Sequence, residues 1–117
     1  MMHLEQIKQR LGIGGISTTT GTWRLLGDET EKGAQIDLVI DRSDRVINLC
    51  EMKFSEAPYV ITKDYEERLR ERMAIFKAKI KTRKSLATTM VTTYGVLRGI
   101  HSGIVQNEVV MDDLFKQ

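Results

Sequence analysis

The stretch Gly33-Ala-Gln-Ile-Asp-Leu-Val-Ile-Asp41 is followed, after the polar link Arg42-Ser-Asp-Arg45, by Arg45-Val-Ile-Asn-Leu-Cys-Glu-Met-Lys-Phe54. Both arms are rich in branched apolar residues, the composition of paired strands joined by a tight turn. A hairpin here commits the chain to a sheet, and its register decides which side chains share a face. Residues two apart on a strand project to one side, so Glu51 and Lys53 stand about 7 Å apart along one surface. A turn of three residues, Ser43-Asp44-Arg45, sets Asp37 opposite Glu51, Gln35 opposite Lys53 and Val39 opposite Leu49. The reverse face then carries Ile36, Leu38 and Ile40 against Met52, Cys50 and Asn48, an almost wholly apolar surface fit for burial. A two-residue turn would instead turn Asp37 away from Glu51, because a one-residue slip flips every side chain. The odd register is the expectation, since it alone gathers the polar groups of both strands on one face.

Two carboxylates beside a lysine on rigid strands suit a hard divalent cation. Mg2+, or Mn2+ in its place, prefers oxygen ligands and keeps several waters, so Asp37, Glu51 and the backbone carbonyl of Met52 would suffice to hold it. Lys53 is left to orient a water or to offset charge developing on a phosphoryl group.

Around this hairpin the chain reads in order as follows. Leu4, Ile7 and Leu11 recur at helical spacing and are followed by Gly12, Gly14 and Gly15, which predicts a short amphipathic helix over 3–11. The glycines lack the G-x-x-x-x-G-K-[ST] pattern of a phosphate loop and follow a helix rather than a strand. His3, beside the terminus, is expected to be a surface residue rather than a catalytic base. Residues 16–26, threonine-rich with Trp23, predict a strand, and the polar stretch from Gly27 to Gly33 a turn leading into the hairpin. Pro58 interrupts regular structure, residues 59–61 form a short extended piece, and Thr62 is placed to cap a helix. That helix, over 63–81, is the clearest in the chain: Tyr65, Leu69, Met73, Phe76 and Ile80 recur at intervals of three and four.

The remaining face of this helix is dense in charge, with Arg68, Arg70 and Arg72 offset by Glu66, Glu67 and Glu71. Toward its end Lys77, Lys79, Lys81, Arg83 and Lys84 form a basic cluster. Two readings stand side by side, a phosphate-binding surface and a solvated face with charges in pairs. Residues 85–94 predict a strand that the preceding helix allows to run parallel to the Glu51 strand. Residues 95–103 read as a loop or hairpin turn, 104–110 as a last strand, and 111–115 as a short terminal turn or helix. The expected class is α/β, a mixed sheet flanked by helices in the order αβββαββ, with residues 1–117 forming one domain.

Composition narrows the function classes. With 41% hydrophobic and 29% charged residues, the chain has the make-up of an ordinary globular protein. A net charge of +2 supplies no broad basic field, so a nucleic-acid partner must meet a local patch. No apolar run approaches the roughly 18 residues a membrane helix needs, and no signal-peptide core follows the start. A cytoplasmic location without membrane contact is the resulting expectation. Cys50 has no partner for a disulfide or a zinc site and reads as a buried strand residue.

Asp37 on one strand and Glu51-Met52-Lys53 on the next resemble the signature of the PD-(D/E)xK nuclease superfamily. The wider pattern, with His3-Leu-Glu-Gln-Ile-Lys-Gln-Arg-Leu-Gly-Ile-Gly-Gly, Lys32-Gly-Ala-Gln-Ile-Asp-Leu, Ile47-Asn-Leu-Cys-Glu-Met-Lys-Phe, Val91-Thr-Thr-Tyr-Gly, Val105-Gln-Asn-Glu-Val and Met111-Asp-Asp-Leu-Phe, is similar to the carboxy-terminal nuclease-like domain of bacterial and archaeal AAA-type ATPases. The resemblance implies a restriction-endonuclease-like fold and a Mg2+-dependent site for phosphodiester hydrolysis, with DNA as the expected substrate. It implies catalytic roles for Asp37, Glu51 and Lys53, and an auxiliary role for Glu5, because many enzymes of the superfamily carry a further acid on the first helix. Helix-borne groups near such sites would here be Lys63 and Tyr65, although the Q-x-x-x-Y pattern is missing. A second implied reading is a non-catalytic module that binds DNA or a protein partner as an appendage of an ATPase. No Walker-type loop is present, so an ATP-driven step requires a separate polypeptide or residues beyond these. The expected partners are therefore nucleic acid and an AAA-type ATPase domain, with a homodimer as a further expectation.

Overall fold

Ile7 and Ile13 are buried on either side of a chain reversal, and they anchor helix α1 (Leu4–Arg10) to one face of a central sheet. The helix ends where expected: Gly12 takes φ +76, a left-handed conformation that glycine enters without steric cost, and its N–H donates to the carbonyl of Gln9. The computed structural model describes residues 4–28 and 33–114. His3, Lys32 and Phe115 lie outside these residues, as does the middle of the polar stretch between Gly27 and Gly33.

Strands β1 (Thr18–Leu25), β2 (Ala34–Arg42) and β3 (Val46–Lys53) form an antiparallel meander. The β2–β3 register pairs Leu38 with Cys50, Val39 with Leu49 and Ile40 with Asn48, as a three-residue turn requires. Arg45 closes that turn at φ 71, the left-handed third position common in three-residue hairpin loops. The short strand β4 (Tyr59–Val60) precedes helix α2 (Lys63–Ile80), whose Tyr65 N–H donates to the capping Thr62 hydroxyl at 3.1 Å. Helix α2 is a crossover that returns the chain to β5 (Ser85–Thr92), parallel to β3 along its whole length.

The end of the chain departs from the sequence reading. The segment over 95–103 is not a hairpin turn. It holds β6 (Val96–Leu97), which pairs in parallel with β4, and runs into a single 3-10 turn at Ser102–Ile104. Only then does β7 (Asn107–Val110) add to the sheet, parallel to β5 and starting later than the expected strand over 104–110. Helix α3 (Met111–Leu114) follows it. The main sheet has the order β1-β2-β3-β5-β7, and β4 and β6 form a separate pair. Setting that pair and the terminal helix aside, the order is the expected αβββαββ.

The central strands are buried on both sides, as parallel central strands must be, while the edge strand β1 is largely exposed. On the α1 side Leu38, Ile40, Cys50, Val91 and Val109 close over Ile7 and Ile13. On the α2 side Tyr65, Leu69 and Phe76 pack against Ile36, Leu49, Ile47 and Met90, and Trp23 sets its ring edge on Phe76 at 5.1 Å. Asn48 and Thr89 are buried polar residues on the α1 side. The Asn48 amide donates to Thr89 and Asn107 and its oxygen accepts from Arg42, so a hydrogen-bonded set ties β3, β5 and β7 together. Ile80, expected in the helix core stripe, is instead 46% exposed, where it lines an open pocket with Trp23, Val39 and Ile47. Among the described residues no helix is long and apolar enough to cross a membrane.

Candidate active site

One irregularity in β2 shapes the site. Gly21 pairs with Val39 but Trp23 pairs with Ile36, so Asp37 and Leu38 together face the single residue Thr22. This is a β-bulge, and it switches the alternation of the strand at Asp37. Leu38 and Ile40 go to the α1 side while Ile36 crosses to the α2 side with Leu49 and Phe76. The expectation that Ile36, Leu38 and Ile40 share one face is therefore corrected, since a one-residue insertion displaces everything before it by one step of the pleat. Beyond Leu38 and Cys50 the ladder gives way to a side chain: Met52 N–H donates to Asp37 Oδ2 at 2.9 Å.

Glu51, Met52 and Lys53 end β3. Glu51 lies on the α2 side with Leu49 and is only 5% exposed. Its Oε1 accepts from Arg72 at 2.5 Å. Burial pushes the Glu51 carboxyl up to about 7; Arg72 and Lys53 oppose the rise, and the nearby charge of Asp37 adds to it. The Met52 side chain packs into the opposite, α1-side core. Lys53 stands over the ring of Tyr65, with Nζ 5.3 Å from its centroid, a cation–π contact between strand and helix. The Tyr65 hydroxyl is buried without a hydrogen-bond partner among the described residues, and burial raises its pKa well above the ordinary phenol value. Tyr65 thus joins the site, whereas Lys63 is exposed at the helix start.

Arg72 was expected on the outer, solvated face of α2, and it is not there. Arg72 lies three residues after Leu69 and next to Met73, at the edge of the stripe Tyr65, Leu69, Met73 and Phe76, where the rotation of the helix on the sheet decides whether it turns inward. An arginine turned inward needs a carboxylate to meet it, and Glu51 is that carboxylate.

The other expected residues fall elsewhere. Glu5 is exposed on α1, which covers the face of the sheet opposite the Glu51 side chain. Lys84 is engaged: its Nζ donates to Asp41 Oδ1 and to the carbonyl of Arg42. Lys77, Lys81 and Arg83 are exposed, as is Lys79, while Lys81 also ends the helix at φ 55. This basic cluster lies beside the start of β5, which pairs with the start of β3, whereas Glu51 and Lys53 end β3. Seven residues of strand separate the two levels, on the order of 20 Å.

As a cation site the donor set is oxygen-rich but short. Asp37 Oδ1 and Glu51 Oε2 have no hydrogen bond among the described residues, so each acid keeps one oxygen to offer a hard cation. Among the described residues no three His, Cys, Asp or Glu side chains gather into a metal-binding group, so waters or substrate oxygens would have to complete the shell. Cys50 is buried, and burial pushes its thiol up to about 12, as an inert core residue requires.

No protein-family profile matches the chain. No curated protein matches it either. Among solved structures, the crystal structure of AF1548, a protein of unknown function, superposes with a TM-score of 0.60 at 15% sequence identity, covering 94% of this chain and 61% of that one. The likeness extends to the fold, and this chain spans about three fifths of the length of that protein.

Proposed function

We propose that this domain is a nuclease of the PD-(D/E)xK kind, cytoplasmic, hydrolysing phosphodiester bonds in DNA with Mg2+ or Mn2+. The observation that carries the reading is the convergence of Asp37 and Glu51 from neighbouring strands, each with one oxygen unpartnered among the described residues, beside Lys53 held over Tyr65. Asp37, Glu51 and the Met52 carbonyl would hold the cation. When bound, the ion would neutralise the phosphodiester and acidify a water. Lys53 projects on the Glu51 face of the strand, where it can orient that water or stabilise the charge that builds on the phosphoryl oxygens. The bulge at Asp37 has a role in this reading, because it lets the carboxylate reach the amide of Met52 and fixes it against β3.

A second reading draws on Arg72. Its ion pair occupies one Glu51 oxygen, and Glu5 is directed elsewhere, both of which favour a non-catalytic module binding DNA or an AAA-type ATPase partner. The two are separated by titrating Mg2+ and Mn2+ calorimetrically into the purified chain, then incubating the same sample with labelled single- and double-stranded DNA. The nuclease reading expects binding and cleavage, both lost in Asp37→Asn. Absence of cleavage of DNA or RNA with either ion leaves the binding module.

A further inference from the structure

Beside the candidate site, between α2 and the ends of β1 and β2, opens a cleft of about 440 Å³. Among the described residues its walls carry Arg24 from β1 and Arg68 and Arg72 from α2, against one acid, Glu71. Arg24 and Arg68 are exposed, and neither has an ion-pair partner among the described residues. Two guanidinium groups beside a third, with no carboxylate bound to either of the two among the described residues, raise the local potential and favour an anion. At the rim of the cleft two backbone segments nearly touch: a methyl group on Gly33 would lie 2.7 Å from the Gly27 nitrogen and 2.8 Å from the Leu25 carbonyl oxygen. The chain passes so closely there that only glycine fits.

Arg72 borders two spaces. It lines this cleft, and with Glu51, Leu49 and Thr88 it lines the small void beneath α2. One guanidinium nitrogen serves Glu51, while the group has five N–H donors in all. Planar, bidentate recognition of phosphate is what such a fork does well.

We propose that the cleft binds a phosphate group of a nucleic-acid strand through Arg24, Arg68 and Arg72, and that drawing Arg72 toward this phosphate frees Glu51 to take a divalent cation. The anion step stands on the cleft alone, whereas the coupling step rests on the metal-site reading above. Coupling of this sort is reciprocal: phosphate must raise cation affinity by the factor by which cation raises phosphate affinity. In the absence of substrate, Arg72 keeps Glu51 occupied and the metal weakly held. The ion is then recruited where a strand is already docked.

The test uses the full chain with inorganic phosphate and a short single-stranded oligodeoxynucleotide as probes. Calorimetry without metal should show phosphate binding that weakens at least tenfold in Arg24→Gln/Arg68→Gln, and the oligonucleotide should compete for it. Mn2+ affinity, followed by electron paramagnetic resonance, should rise about tenfold with phosphate in the wild type. In Arg72→Gln it should be insensitive to phosphate. Circular dichroism of each variant checks folding, and Arg72→Lys serves as a second variant that keeps the charge but not the fork. Phosphate affinity unchanged in the double variant would overturn the cleft assignment, and failure of the oligonucleotide to compete would overturn its assignment to a strand. Mn2+ affinity indifferent to phosphate would overturn the coupling. Phosphate binding that depends on Arg24 and Arg68, with no Mn2+ binding at all, would support the anion site while ending the nuclease reading.

Discussion

Arg72 reaches from the middle of α2 to hold Oε1 of Glu51 at 2.5 Å, so a carboxylate nearly sealed inside the sheet is matched by a side chain from the helix above it. Removing the guanidinium leaves that charge buried and uncompensated. Arg72→Ala should therefore lower the unfolding free energy by about 1–3 kcal/mol at pH 8. The loss should be smaller at pH 5, where a proton neutralises Glu51 instead. Urea denaturation at the two pH values measures this, and equal losses at both would assign the effect to packing.

Glu51 also imposes a pH dependence of its own. In the unfolded chain it releases its proton near the ordinary value of 4.5, and in the folded protein near 7. Between those values the folded state binds more protons, so stability falls as pH rises through the window. The contribution is on the order of 3 kcal/mol at about 1.4 kcal/mol per pH unit. Glutamine does not titrate. The stability of Glu51→Gln relative to wild type should thus improve from pH 4.5 to pH 7, and a difference that stays flat over that range would contradict the assignment.

Asp37 combines a structural contact with the proposed ligand role, and two substitutions separate them. Asp37→Ala strands the Met52 N–H and should cost about 1–3 kcal/mol. Asp37→Asn keeps an acceptor oxygen and should cost less, yet lose metal affinity and cleavage together because the charge is gone. Lys53→Met should retain metal binding and lose cleavage. Thermal denaturation, Mn2+ titration and a DNA cleavage assay on the three proteins give the comparison. Loss of metal binding in Lys53→Met would deny the division of roles.

The basic cluster divides in the same manner. Lys84→Ser removes hydrogen bonds to Asp41 and to the Arg42 carbonyl and should destabilise the fold by about 1 kcal/mol. Replacing Lys81 and Arg83 with serine should change stability by only about 0.5 kcal/mol or less each, and Lys79→Ser adds whatever its own contact contributes. If these three meet DNA phosphates, the triple variant should flatten the log-log salt dependence of binding by about 0.9 per contact. Affinity measured from low to high salt decides it, and an unchanged slope would return them to a solvated surface.

Much of the architecture could be read from the residues because it is set locally. The polar Ser43-Asp44-Arg45 turn sets the hairpin register, and the apolar stripe from Tyr65 to Phe76 sets a helix long enough to carry the chain to a parallel strand. These follow from turn length and periodicity, which involve only neighbours along the chain. Three features could not be settled that way. The bulge at Asp37 is a relation between β1 and β2, and it moved Ile36 to the other side of the sheet. The inward course of Arg72 depends on how α2 is rotated over β3, and the arginine cleft on how β1 and β2 end against that helix. Strand periodicity named Asp37, Glu51 and Lys53 as one group, but the partner that governs the charge of Glu51 lies 21 residues away, and only packing of helix on sheet brought it there.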